Sequence, residues 1–187
     1  MLLLALLLAL GYAPGYGQTV RYVMAGGSGG GSSWVTASGD LQGMVNASSV
    51  GDQVWVSAGT YKPTASNDRG ISFSMKNGVE IYGGFVGNET MLSQRNWTAN
   101  PTILSGDIGT VSINTDNSFR IINNSGLGPT AVLDGFTIRD AYNSSSFNGT
   151  QGGGMRNNGA SPTIRNCIFR NNNIAGIDCD ITIKNKK

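Results

Sequence analysis

Short stretches in which apolar and polar residues alternate recur along most of the chain. Alternation with a period of two residues is typical of β-strands that bury one face. Residues that favour turns, mainly Gly, Asn and Pro, separate the stretches, and 59–61 is interpreted as such a turn. The pattern predicts an all-β chain with short strands at 19–23, 51–56, 71–75, 79–82, 102–104, 119–122, 131–138 and 163–169.

One segment departs from this alternation and has the spacing of a helix. Leu41, Met44 and Val45 lie at positions i, i+3 and i+4, and Asp40 directly precedes them. An Asp side chain can accept a hydrogen bond from a backbone N–H of the first helical turn. The sequence therefore predicts a short amphipathic helix at 40–48, and we expect it to cover the first turn of the fold as a cap.

Two of the predicted strands match each other position by position. Residues 133–139 (LDGFTIR) and 164–170 (IRNCIFR) have apolar residues at equivalent places, and both end in Arg. A repeat of roughly 20 to 45 residues with a short strand in each unit is the signature of a solenoid, and the offset between these two segments lies within that range. Its predicted inward-facing residues are Val54, Val56, Ile81, Leu133, Phe136, Ile138, Ile164, Cys167 and Phe169.

An antiparallel β-sandwich is the alternative architecture, since it is also built from short strands. It does not account for the matched offset. It also does not account for the Asn residues concentrated after strands, as in the triple Asn at 171–173. In a solenoid, stacked Asn side chains can hydrogen-bond from one coil to the next. The pattern as a whole favours a right-handed parallel β-helix with a short N-terminal capping helix.

The composition of the chain excludes several classes of function and indicates none directly. Charged residues make up 13% of the chain and the net charge is +2, so no basic field suggests nucleic-acid binding. The chain contains no His, which excludes His-based triads, His metal sites and imidazole acid–base catalysis. Its 28 Gly residues favour many tight turns.

The first ten residues are almost entirely Leu and Ala, a run too short to cross a bilayer. Small residues follow it, so 1–17 is interpreted as a signal peptide cleaved after Gly17. The mature chain is then one domain, 18–187, with an N-terminal cap at 18–50 and coils at 51–187. No transmembrane segment is predicted. Cys167 fits a buried strand position, and a disulfide with Cys179 stays open.

Carboxylates and two Arg residues are the candidate catalytic groups. Arg139 and Arg170 occupy equivalent places in successive repeats and could form a basic stripe, with Asp134 and Asp140 nearby. This pattern is also typical of the solvated face of a solenoid, and no lyase base or paired-carboxylate motif accompanies it. Calcium is not indicated, because the only candidate motif, 178–180, lacks a ligand loop turned by Gly. No cofactor is expected.

Four aromatic residues are the other candidates for ligand binding. Aromatic side chains that point outward from a β-helix would offer flat surfaces for the apolar faces of sugars. Trp55 and Trp97 could instead be structural, Trp55 beneath the segment around Tyr22 and Trp34, and Trp97 in the loop before Pro101. The candidate ligand-binding residues are Trp55, Tyr61, Tyr82, Trp97, Arg139 and Arg170.

Five motifs, taken in order, resemble a known protein family. They are GDQVWVSAGTYKP (51–63), KNGVEIYGGFVGNET (76–90), QRNWTANPTILSGDIG (94–109), AVLDGFTIRDA (131–141) and GGGMRNNGASPTIRNCIFRNN (152–172). The set resembles secreted bacterial right-handed parallel β-helix proteins of the pectin-lyase-like fold, common among Bacteroidota. Members of that family are usually longer, with further coils and often a secretion or anchoring domain. The resemblance therefore implies that the C-terminal end is incomplete.

Enzymes with a similar fold hydrolyse pectin, and one of their motifs is matched by 114–116 (NTD). Their paired Asp, Gly-His-Gly and Arg-x-Lys motifs do not occur here. The favoured function is a secreted or cell-surface module with a binding or structural role that contacts glycans or another surface. The alternative is a polysaccharide lyase or glycoside hydrolase that acts on acidic polysaccharides. Residues 179–187 predict one more strand, through which the chain could self-associate.

Overall fold

A computed structural model describes residues 17–143, 153–174, 177–178 and 181–183. Within these ranges the chain is mainly β, with one α-helix and two short 3-10 helices, Leu92–Gln94 and Asn114–Asp116. The elements are β1 (Val20–Val23), α1 (Leu41–Ala47), β2 (Gln53–Ser57), β3 (Gly59–Tyr61), β4 (Glu80–Phe85), β5 (Thr102–Ser105), β6 (Ile122–Ser125), β7 (Val132–Asp134), β8 (Phe136–Arg139), β9 (Tyr142–Asn143), β10 (Met155–Asn158), β11 (Thr163–Arg165), β12 (Cys167–Arg170), β13 (Asn173–Ile174), β14 (Ile177–Asp178) and β15 (Ile181–Ile183).

Two five-stranded sheets carry most of the strands. Sheet A has the order β1-β2-β4-β7-β11, and all of its strand pairs are parallel. Sheet B has the order β3-β5-β8-β12-β15, with parallel pairs except for β15, which is antiparallel to β12. The remaining strands form the pair β6–β10 and the small sheet β9-β13-β14. This parallel pairing differs from that of the antiparallel sandwich considered as the alternative.

The matched repeat in the sequence corresponds to strands that pair in register. Leu133 pairs with Ile164, and Ile138 pairs with Phe169, so both sheets keep the same offset between these two repeats. Elsewhere the offset between neighbouring strands varies. In sheet A, for example, Val54 pairs with Ile81, which in turn pairs with Leu133 across a much longer interval of sequence.

Each of the two longest predicted strands is in fact two strands in different sheets. The prediction of single strands at 131–138 and 163–169 is wrong, because the chain leaves sheet A at Gly135 and at Asn166 and enters sheet B. Gly135 has φ 87° and Asn166 has φ 48°. Gly and Asn adopt this left-handed backbone at the least cost, so a pair of left-handed residues turns the chain at equivalent points of two repeats.

Three smaller predictions also need correction. Residues Gly59–Tyr61 form β3 and not a turn. The predicted strand at 71–75 is reduced to a single bridge between Phe73 and Ile122. The strand predicted at 119–122 begins only at Ile122. These segments are short, and alternation over so few residues does not fix the ends of a strand.

The apolar core lies between the sheets and follows the predicted alternation. Of the nine residues expected to face inward, seven are buried in one cluster, and Ile164 and Phe169 are half-buried against it. This prediction is confirmed. A buried Asn side chain accompanies the core: Asn124 of β6 donates from Nδ2 to Oδ1 of the exposed Asn157 in β10, over 2.9 Å. This bond is one step of the expected stacking of Asn amides between repeats.

Helix α1 occupies the predicted position. The Asp40 side chain accepts a hydrogen bond from the N–H of Gly43, 2.8 Å away, and begins the helix. Leu41 and Val45 are buried in the same cluster as Val23 of β1. The helix therefore contributes two side chains to the core beside the first strands of sheet A.

Gly154, the last residue of the triple Gly at 152–154, allows a close approach between repeats. A Cβ at this position would lie 2.8 Å from Nδ2 of Asn172 and 2.9 Å from Cδ1 of Phe169. Asn172 is buried, donates to the carbonyl of Ile138 and accepts from the N–H of Ala141. A side chain at Gly154 would thus displace a buried amide that holds two backbone groups.

We expect Gly154→Ala to lower the free energy of unfolding by about 1–3 kcal/mol, the usual cost of overpacking a filled interior. Chemical denaturation followed by circular dichroism would measure it. Gly30→Ala is the matched control, because a Cβ at Gly30 meets no atom within 4 Å, and it should change stability by less than about 0.5 kcal/mol. Equal losses in the two variants would contradict this account of Gly154.

The two ends of the sequence are described only in part. The predicted signal peptide lies outside the described residues except for Gly17, and so does Cys179. Cys167 is fully buried, and burial raises the pKa of its thiol to about 12. The strand predicted near the C-terminus is present as β15; self-association stays a prediction. Within the described ranges, no helix has the length and apolarity needed to cross a membrane.

Candidate functional site

A second apolar cluster covers the outer face of sheet A. Trp55 and Tyr82 point outward from β2 and β4, as the alternation predicts, but both are buried. Trp55 stacks on Phe85 with ring centroids 4.7 Å apart and planes inclined by 12°. Tyr22 and Trp34 pack against the same cluster. Neither Trp55 nor Tyr82 therefore offers the exposed flat surface that the sequence suggested, and Trp55 packs beneath the segment around Tyr22 and Trp34.

Hydrogen bonds fix the polar atoms of these two aromatic residues. The indole N–H of Trp55 donates to Gln53 over 2.8 Å, and the amide of Gln53 donates to Oε2 of Glu80 over 3.0 Å. The Tyr82 hydroxyl donates to the same oxygen of Glu80, also over 3.0 Å. Burial, together with the nearby Glu80 carboxylate, raises the pKa of Tyr82 to about 12. The Tyr82 hydroxyl thus stays protonated at neutral pH.

The loop at 86–91 is held against this cluster by Trp34 and Glu89. The indole N–H of Trp34 donates to the backbone carbonyl of Glu89 over 2.9 Å. The Glu89 carboxylate accepts backbone N–H groups from Val86, Gly87 and Asn88. Burial alone would raise the pKa of Glu89, but these hydrogen bonds outweigh it and hold the pKa below its usual value. The Glu89 carboxylate therefore binds backbone N–H groups of its own loop.

Tyr61 is also buried, but on the inner side of sheet B. Its hydroxyl donates to the backbone carbonyl of Ser57 over 3.1 Å, and burial raises its pKa. Trp55, Tyr61 and Tyr82 therefore do not form the exposed aromatic surface that the sequence suggested. Two of these side chains are covered by loops distant in sequence, and the third faces the core.

A buried ion pair joins the loop before β5 to the corner between the sheets. Nη2 of Arg95 lies 2.9 Å from Oδ1 of Asp134, and the two side chains are 8% and 6% exposed. Nη1 of Arg95 donates to the carbonyls of Gly83 and Asp134, each over 3.1 Å. Asn166 of the next repeat donates from Nδ2 to the same Oδ1 of Asp134 over 2.8 Å. Asp134 therefore has a structural role, since its carboxylate binds both Arg95 and Asn166.

Trp97 is the one candidate aromatic residue that is substantially exposed, at 41%. The guanidinium carbon of Arg95 lies 4.9 Å from its ring centroid. Its backbone lies so close to Gly84 that a Cβ on Gly84 would be 2.6 Å from the Trp97 nitrogen, and its Cβ lies 3.1 Å from where a Cβ on Gly135 would be. Trp97 thus lies beside Gly135, the residue that precedes β8 of sheet B.

The outer face of sheet B carries the two candidate Arg residues. Arg139 of β8 and Arg170 of β12 are register partners, so they lie side by side on neighbouring strands. Nε of Arg139 lies 3.1 Å from Oδ2 of Asp140, which also accepts the hydroxyl of Ser105. Arg170 is exposed. The predicted equivalence of Arg139 and Arg170 in successive repeats is confirmed, and Asp140 partly neutralises the charge of Arg139.

A column of β-branched residues runs beside these Arg residues on the same face. Thr60, Ile103, Thr137 and Ile168 are successive register partners across the sheet. Thr60 and Ile168 are exposed, and Ile168 is 42% exposed. Lys62 directly follows β3 and is exposed at the same end of the sheet as Thr60.

Two of the six candidate residues, Arg139 and Arg170, lie side by side on one surface, and Trp97 lies beyond the opposite end of β8. Trp97 adjoins the start of β8, whereas Arg139 and Arg170 end β8 and β12. Sequence reasoning missed Ile168 and Arg95. Ile168 could have been found as the outward residue equivalent to Thr137 in the next repeat, whereas no local signal marks Arg95 as a buried partner of Asp134.

The other candidate sites in the sequence are the NTD motif at 114–116 and the calcium motif at 178–180. Asn114–Asp116 forms a 3-10 helix, and the Asp116 carboxylate accepts the N–H of Thr110 over 2.8 Å. Asp180 lies outside the described residues. In the part of the chain that the structure describes, no three acidic or Cys side chains lie close enough together to hold a metal ion.

Comparison with known proteins adds no relative: no family model, no curated protein and no solved structure matches this chain.

Proposed function

We propose that the chain is a right-handed parallel β-helix module, secreted or displayed at the cell surface, that binds acidic glycans through the outer face of sheet B. The observation that carries the proposal is the register pair Arg139 and Arg170 beside the exposed Ile168. The parallel order of sheets A and B and the left-handed residues between them support the β-helix. The Leu-rich segment at the N-terminus supports secretion.

The surface combines the groups that an acidic sugar chain requires. Neighbouring strands are about 4.8 Å apart, so Arg139 and Arg170 present two guanidinium groups at adjacent levels of the sheet. Guanidinium binds carboxylate and sulfate with paired hydrogen bonds. Ile168 and the exposed part of Trp97 supply apolar contact for sugar rings. Because β8 and β12 are short strands, these groups lie within reach of a short oligosaccharide.

Binding at such a surface is expected to be weak for each contact and sensitive to salt. An exposed ion pair contributes about 0.2–1 kcal/mol, and salt at about 0.15 M screens charges beyond about 8 Å. Useful affinity then requires several sugars bound at successive levels of the sheet.

Polygalacturonate is a suitable probe in affinity electrophoresis or calorimetry at low salt. We expect Arg170→Gln to weaken binding about two- to fivefold, and Arg139→Gln together with Arg170→Gln to weaken it about tenfold, in line with the value of exposed ion pairs. Added salt should reduce the difference between the variants.

Arg165→Gln is the matched control, because Arg165 is exposed but belongs to β11 of sheet A. It should leave binding unchanged. An equal loss on Arg165→Gln would show that only net charge matters, and failure of the unaltered chain to bind at low salt would reject the proposal. A neutral glucan tested in parallel separates recognition of charge from general sugar stacking.

A further inference from the structure

The first strand of sheet B has an edge that no other described strand of the sheet covers. In sheet A, β1 pairs with β2 and extends the sheet by one strand at this end of the fold. Sheet B has no corresponding described strand, because it begins at β3, which pairs only with β5. A cavity of about 170 Å³ adjoins this edge, and Thr60 and Lys62 line it.

The backbone of Thr60 faces this cavity. The N–H of Gly59 donates to the carbonyl of Pro101, and Gly59 and Thr60 pair in parallel with Thr102 and Ile103. Backbone groups of successive residues in a strand point to opposite edges. The N–H and C=O of Thr60 therefore point away from β5, toward the uncovered edge of the sheet.

The other walls of the cavity have few unused polar groups. The Asp40 carboxylate caps α1, and the side-chain amide of Gln42 exchanges hydrogen bonds with Ser74. Ala25 lies against Gly59, where a Cβ would be 3.0 Å from that of Ala25, and so closes one end of the edge. The open part begins at Thr60 and leads to the exposed Lys62.

We propose that this edge accepts a short extended segment of a partner protein, which adds one strand to sheet B. Pairing would satisfy the backbone N–H and C=O of Thr60, as in other cases of strand addition. The positive charge of Lys62 favours a segment with an acidic residue at that end. Because Ala25 limits the open edge, the segment pairs over only a few residues, and its affinity is low unless other contacts assist. This proposal is independent of glycan binding by the outer face of the sheet.

The experiment uses the full chain and the blocked synthetic peptide Thr-Val-Thr-Asp-Val at millimolar concentration, followed by amide NMR. The expected result is a shift of the Thr60 amide and a slowing of its hydrogen exchange by about tenfold. A peptide that is N-methylated at alternate positions cannot pair along its edge and should have no effect. Lys62→Glu should weaken binding several-fold, and replacing Asp with Lys in the peptide should restore it in that variant.

Three results would overturn the proposal. The first is no change at Thr60 with the unmodified peptide. The second is an equal effect of the N-methylated peptide, and the third is perturbation confined to Thr163–Arg165, at the last strand of sheet A. If Thr60 shifts with protein concentration in the absence of peptide, the occupant is a second copy of the chain, which contradicts a separate partner. Polygalacturonate binding is scored separately, so failure here leaves that test unaffected.

Discussion

Replacing Arg95 with Met should lower the free energy of unfolding by about 3–5 kcal/mol, the usual cost of leaving one member of a buried ion pair without its partner. The Asp134 carboxylate would stay buried with only the Asn166 amide to bond it. The carbonyls of Gly83 and Asp134 would lose their donor as well. Urea denaturation measured by circular dichroism gives the loss directly.

A double-mutant cycle separates the charge from the packing. Asp134→Asn combined with Arg95→Met removes both charges, so the double variant should be more stable than Arg95→Met alone. Arg170→Met is the matched control, since Arg170 is exposed at the end of a sheet B strand, and it should cost less than about 0.5 kcal/mol. If Arg95→Met and Arg170→Met cost the same, the buried pair does not hold the corner.

Trp55→Ala should cost about 3–5 kcal/mol, as expected for a buried aromatic residue. It would remove the stacking partner of Phe85 and leave the amide of Gln53 without its indole donor. The loops that pack on this cluster would lose the surface beneath them. Thermal denaturation and limited proteolysis within 86–101 would report the two effects.

Trp97→Ala is the appropriate comparison, because the same residue type is 41% exposed there. We expect a smaller loss of about 1 kcal/mol and, if the proposed glycan site is correct, weaker binding of polygalacturonate. Trp55→Ala should reduce the amount of folded protein without changing the affinity of the folded fraction. The reverse assignment, with Trp55 affecting affinity and Trp97 affecting stability, would refute the description of both residues.

The register of the core could be predicted from the sequence because the rule that sets it acts over a few residues. Side chains in a strand alternate between faces, and the LDGFTIR and IRNCIFR segments repeat this alternation at a constant offset. Leu133 pairs with Ile164 for that reason. The helix was predictable in the same way, since the Asp40 cap and the apolar spacing lie within one short segment.

The corners could not be predicted from alternation alone. Gly135 and Asn166 each divide one apparent strand into two, and the inward positions shift by one residue at each, from Leu133 to Phe136 and from Ile164 to Cys167. One extra residue shifts the alternation in the same way whether the chain turns a corner or forms a bulge within one strand. The signal was present in the residue types, Gly and Asn at equivalent positions, but nothing in the sequence separates a corner from a bulge there.

The candidate site was predictable only where exposure depends on nearby residues. Arg139 and Arg170 follow from the repeat. Trp55 points outward, as alternation requires, yet it is covered by Trp34, which is anchored by the backbone carbonyl of Glu89, far along the chain. Sequence periodicity shows which way a side chain points but not what lies above it.

The uneven offsets between paired strands have a consequence for how this chain tolerates change in length. The interval of sequence from Ile81 to Leu133 is much longer than the intervals from Val54 to Ile81 and from Leu133 to Ile164, yet each pair keeps its register. Insertions and deletions therefore leave the stacking intact when they fall between strands, where the added chain loops outward. Evolution and protein engineering can use those connections to carry guest sequences, whereas a one-residue insertion inside a strand would exchange its inner and outer faces.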